Sequence, residues 1–82
     1  MNTNEIMSKF FNLISDYNLL MKIDVDIRNN FDDLISIKIY YSQDYYEESI
    51  SKIKNYFENI NNVKLTIESK KYITTFEMLV KK

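Results

Sequence analysis

The stretch "LMKIDVDIRNNFDDLISIKIYY", residues 20–41, decides the fold. In its first half Met21, Ile23, Val25 and Ile27 alternate with Lys22, Asp24 and Asp26; in its second, Ile35, Ile37, Ile39 and Tyr41 alternate with Ser36, Lys38 and Tyr40. A period of two belongs to a strand with one buried and one wet face. Asn29 and Asn30 separate the two runs, and asparagine accepts the left-handed backbone that a turn without glycine demands. The stretch therefore predicts a β-hairpin.

On either side the period changes. From Asn4 to Leu20 the apolar Ile6, Phe10, Leu13, Ile14 and Tyr17 recur at spacings of three and four, the mark of an amphipathic helix, and Asn2 with Glu5 can close a capping box at its start. Downstream, "SQDYYEESISKIKNYFENI" (residues 42–60) puts Ile50, Ile53, Phe57 and Ile60 on one helical face, with Asp44 and Glu47 as a second capping box and Asn61 and Asn62 as the stop. Val63, Leu65 and Ile67 then alternate with Lys64, Thr66 and Glu68. After the corner at residues 69–71, Tyr72, Thr74, Phe76, Met78 and Val80 form the inward face of a last strand.

The order helix, strand, strand repeats over residues 4–42 and 44–82, with Ser8-Lys9 matching Ser51-Lys52, Phe10 matching Ile53 and Ile14 matching Phe57. Each unit carries one apolar helix stripe and one apolar hairpin face, which neither could bury alone. The expectation is a single α+β domain over residues 1–82, a two-layer sandwich of αββαββ order. Its four-stranded, mainly antiparallel sheet would carry both helices on one face, with strand order 1-2-4-3 as one realisation.

Composition narrows the function classes. The 82 residues include no Cys, His, Gly, Pro or Trp. A chain this short buries only about 60 to 65% of its unfolded surface, which argues against a deep active-site cavity. Without His or Cys there is no imidazole base, thiolate nucleophile or transition-metal cluster, and without Gly no phosphate-cradling loop. Glu47 and Glu48 are adjacent on a helix, diverge by about 100° and cannot face one substrate together. The reading is of a non-enzyme without cofactor.

The four aspartates Asp24, Asp26, Asp32 and Asp33 invite a calcium-loop reading, which fails, and a looser magnesium pair of Asp24 and Asp26, which the strand reading outweighs. Counted from Asp24 as an EF-hand loop, position 5 is Arg28, position 6 is Asn29 and position 12 is Ile35, where calcium needs an oxygen ligand, a glycine and a glutamate. Asp24 and Asp26 are read instead as the wet face of a strand, with Lys38 opposite one of them, and Asp32 and Asp33 as turn residues.

Surface is left as the place for activity. The net charge of −1 conceals a split: residues 1–48 carry nine acids against four bases, and residues 49–82 carry seven lysines against three glutamates. Four of the seven tyrosines, Tyr40, Tyr41, Tyr45 and Tyr46, cluster beside Asp44, Glu47 and Glu48. Tyr41 and Tyr46 are expected to point inward, leaving Tyr40 and Tyr45 with the acids as an exposed patch suited to Lys and Arg on a partner protein.

The expected contact residues are Asp44, Glu47, Glu48, Tyr40, Tyr45, Asp24 and Asp26, and the expected function is a protein-binding module. The Ile-, Asn-, Lys- and Tyr-rich composition is that of an AT-rich genome. With the size and the acidic half, it points by analogy to a phage or mobile-element inhibitor of a nucleic-acid-binding defence complex, of the anti-CRISPR kind. A homo-oligomer joined through the sheet face or through opposite charges is the alternative. Acids on the sheet face and Tyr40 as its one aromatic argue against base stacking there, so a third reading, a weak nucleic-acid binder, would use Lys52, Lys54, Lys64, Lys70 and Lys71 of the second half, and lysine-rich helices are usually just solvated. No long apolar run and no basic-then-apolar amino terminus mark a membrane span or signal peptide, so the expected location is cytoplasmic.

Overall fold

The structure, a computed structural model, describes residues 1–14, 20–42 and 47–82. The elements are α1 (Thr3–Leu13), β1 (Leu20–Asn29), β2 (Asp33–Tyr41), α2 (Glu47–Phe57), β3 (Val63–Lys70) and β4 (Ile73–Val80). All strands pair antiparallel in one sheet of order β1-β2-β4-β3. α2 carries the chain from β2 to β3 past β4, which fills the central slot between them. The arrangement is a circular permutation of the ferredoxin-like topology.

The helices begin and end for local reasons. Asn2 caps α1: its side chain accepts the Glu5 N–H at 2.9 Å while the Glu5 carboxylate accepts the Asn2 N–H at 3.1 Å. The helix stops at Leu13, well before the Leu20 limit set by the apolar spacing, because Ile14 turns extended (φ −71, ψ 122) while its N–H still reaches the Phe10 carbonyl. Its side chain stays in the core. Tyr17 and the Asp44 cap lie outside the described residues.

α2 stops at Phe57 rather than at the Asn61-Asn62 pair. The amides of Asn59 and Ile60 bond back to the carbonyls of Tyr56 and Phe57, tightening the last turn. Asn62 has a different task. Its side-chain amide donates to the carbonyls of Met1, at 2.8 Å, and Lys81, at 3.4 Å, tying both chain ends to the start of β3.

Ile6 and Phe10 of α1, Ile53 and Phe57 of α2, Ile35, Ile37 and Ile39 of β2, and Phe76, Met78 and Val80 of β4 form one buried cluster. Phe10 meets Phe76 edge to face, with centroids 4.9 Å apart. The buried Thr74 hydroxyl is satisfied by the Tyr41 hydroxyl at 2.9 Å and by Ser69 at 3.1 Å.

The turns differ from expectation. Asn29 still pairs with Asp33, so the first hairpin turns over Asn30, Phe31 and Asp32. Neither asparagine is left-handed: among the described residues the positive φ falls on Tyr72 alone, at 66°. Lys71 and Tyr72 form a two-residue connection in the second hairpin, with the positive φ on its second residue. Such a backbone costs a non-glycine residue about 1–2 kcal/mol. The Tyr72 carbonyl accepts the Tyr41 N–H at 3.0 Å, which helps to hold it. Tyr72 is thus an exposed turn residue, not an inward strand residue.

Asp33 is also more than a turn residue. As the first residue of β2 it accepts the Thr3 hydroxyl at 2.8 Å and pairs with Lys82 at 3.0 Å, fastening the start of α1 to the sheet. The Thr3 hydrogen bond first, then the Lys82 bond and charge, hold its carboxyl below the ordinary aspartate value against a smaller opposing effect of burial.

Candidate binding surface

The expected contact residues do not form one patch. Asp24 and Asp26 lie on the open face of β1, and Tyr40 on the open face of β2 beside them, paired in register with Lys22. Glu48 belongs to α2, in the helix layer on the other side of the sheet. Asp44, Tyr45 and the side chain of Glu47 lie outside the described residues.

The described acids already have cations of their own chain. Lys22 reaches Asp24 at 3.6 Å, Arg28 reaches Asp26 at 3.2 Å, and Lys52 reaches Glu48 at 3.3 Å one helical turn away. Asp24 also stands opposite Lys38 in the β1–β2 register. The ammonium of Lys22 lies 5.5 Å from the Tyr40 ring centroid. This corner of the open face is therefore a mixed-charge surface.

What the alternation did not reveal is how unevenly the helix layer covers the sheet. α1 is fastened to β2 through Thr3 and Asp33, to β4 through Phe10 and Phe76, and to the start of β3 through Met1 and Asn62. α2 lies against α1 and β3. Both helices are thereby drawn away from β1. Ile23, Val25 and Ile27 pair with Ile39, Ile37 and Ile35 and share their face, yet Ile23 is only half-buried, and Val25 and Ile27 stay 43% and 41% exposed. Met21, expected inward, is the extra residue of a bulge between Leu20 and Lys22 and is 73% exposed.

At the other end of β1, Phe31 projects from the hairpin turn, 95% exposed. A phenyl ring among "NNFDD" (residues 29–33) has no inward position to occupy. That was the one signal in the sequence that could have pointed to this end of the molecule.

Two further features are shallower. Between α2 and β3 runs a groove of about 550 Å³ lined by Ile50, Lys54, Val63, Leu65 and Ile67. On the open face Leu34 pairs with Leu79, while Ile73 sits at the opposite end of β4 beside Tyr40. Among the described residues no three acids come together to hold a metal ion, and no helix is long and apolar enough to cross a membrane.

No family model matches the chain, and neither a curated protein nor a solved structure matches it at a significant level. The reading of the surface rests on its own chemistry.

β1 combines two properties. It is an edge strand, so among the described residues one row of its N–H and C=O groups has no partner strand, and its inner row of side chains is apolar and partly uncovered. Such an edge is a template for another strand unless charge, proline or a bulge blocks it. Here the bulge is confined to the Leu20 end, and residues 23–29 carry their charges only on the open face.

Proposed function

We propose that the domain is a non-enzymatic protein-binding module whose contact element is β1 with the Phe31 turn. The observation that carries this is the row Val25, Ile27 and Phe31, exposed along an edge strand. The partner is an extended protein segment with alternating apolar and charged side chains, added antiparallel to β1. Main-chain hydrogen bonds would supply affinity, and the alternate side chains selectivity.

The narrower reading, an inhibitor that offers its acids to a nucleic-acid-binding complex, requires Asp24, Asp26 and Glu48 to meet a basic partner. Each of them is paired within its own chain, and they lie in two layers. The apolar edge is therefore the better supported contact.

The double variant Val25→Lys/Ile27→Lys should release a captured partner while keeping a cooperative melt, and Glu48→Lys should retain it. Capture unaffected by the strand substitutions and abolished by Glu48→Lys would move the contact to the acids.

A further inference from the structure

Granting that β1 is the contact strand, we infer that its partner is β1 of a second copy of this chain, paired antiparallel about a two-fold axis through Ile27. The segment that β1 requires is one that β1 itself supplies: apolar residues at 23, 25 and 27 toward the helix layer, charged residues at 24, 26 and 28 toward the open face. In antiparallel self-pairing about a two-fold axis residues of like parity meet, so each side chain keeps its face and both helix layers stay on the same side.

Charge then selects the register. Centred on Val25, the pairing sets Asp24 against Asp26 twice and Lys22 against Arg28 twice, like against like at every charged position. Centred on Asp26, it sets Asp24 against Arg28 and Val25 against Ile27 twice each but stacks Asp26 on Asp26 at the axis. Centred on Ile23, it runs into the bulge at Leu20–Lys22.

Centred on Ile27, it sets Asp26 against Arg28 of the other copy twice, with no like pair. The 3.2 Å ion pair between Arg28 and Asp26 within each chain then becomes part of a four-charge cluster. Ile27 meets Ile27 across the axis, and Val25 stands opposite Asn29 and diagonal to the other copy's Ile27. The two sheets join into one of eight strands, and the exposed apolar row is covered on its open side.

An isologous pairing of this kind closes at two copies, whereas β1 on β3 of the next copy is a head-to-tail contact that forms a larger ring or an open filament. β3 offers less to such growth because α2 lies against its inner row.

Native mass spectrometry over a concentration series, with thermal melts to confirm folding, tests this. Wild type should pass from monomer to dimer and no further, and Ile27→Lys should remain monomeric. Arg28→Asp and Asp26→Arg should each dimerise at least tenfold more weakly, and mixing them should restore a heterodimer, since the mixed pair again sets aspartate against arginine twice. A wild type monomeric at every concentration, a dimer indifferent to Ile27→Lys, or growth beyond two copies would overturn the inference. If wild type is monomeric while Val25→Lys/Ile27→Lys still releases a captured protein, self-pairing fails but β1 remains the contact. If that substitution also leaves capture intact, the reading of β1 itself fails.

Discussion

Strands β1 and β3 occupy the two edges of the sheet and read almost alike. Ile23, Val25 and Ile27 alternate with charged residues in one, and Val63, Leu65 and Ile67 alternate with Lys64, Thr66 and Glu68 in the other. In the folded protein they part company. Val63 is 8% exposed, and Leu65 and Ile67 are half-buried beside α2, while Val25 and Ile27 stand in the open. The difference lies in where the helices are fastened, through contacts far away in sequence. Alternation identifies the face a side chain shares; tertiary packing decides whether anything covers that face.

The sharpest way to break the comparison is across one rung of the ladder. Ile37 and Val25 are register partners on the same face, but only Ile37 is fully buried. Ile37→Ala should remove about 2–5 kcal/mol, which in a domain of this size threatens folding. Between the two edges the contrast is smaller. Val63→Ala should remove roughly 2 kcal/mol, from about 0.8 kcal/mol per buried methyl-sized group plus a cavity, and Val25→Ala less than about 1 kcal/mol. Urea titration of the three variants checks both. Equal losses from Val63→Ala and Val25→Ala would mean that β1 is covered after all.

The fastening of α1 can be tested next. Asn2→Ala removes the capping box and should lower stability by about 1 kcal/mol. Asp33 adds a pH signature. Its carboxyl titrates below the ordinary aspartate value in the folded chain, held there by the Thr3 hydroxyl and Lys82. That contribution is complete above the unfolded value of about 3.9 and is lost as pH falls through the lower folded value. Asp33→Asn should therefore flatten the loss of stability below about pH 4, measured as urea midpoints from pH 6 downward. An acid slope identical to wild type would remove Asp33 from the clasp. Smallest of all, Glu48→Gln breaks an exposed pair on α2 and should cost no more than about 0.5 kcal/mol.

Much of the fold was legible. The switches of period at Met21, after Tyr41 and again at Val63 locate both helices and all four strands, and Asn2 with Glu5 marks the first cap. Local spacing could not show where the helices end. The α1 stripe continues on paper past Ile14, but one extended residue redirects the chain, and α2 tightens and stops at Phe57 although no proline or glycine marks the point. Composition points the left-handed position to the asparagines, but the first hairpin has a three-residue connection and the positive φ falls on Tyr72.

The candidate site was less legible still. Acids and tyrosines close together in sequence fall in different layers: Tyr40 faces out from the sheet and Glu48 rides on a helix. The apolar edge at Val25 and Ile27, by contrast, reads in sequence as ordinary core, and only Phe31 in its polar turn hinted otherwise.

The most direct measurement is amide hydrogen exchange along β1 and β3 as a function of protein concentration. The β1 amides that point away from β2, between residues 23 and 29, should exchange quickly in dilute solution and slow markedly as concentration rises, while the edge amides of β3 stay unchanged. β1 amides that keep the same rate at every concentration, or slowing that appears along β3 instead, would contradict the account.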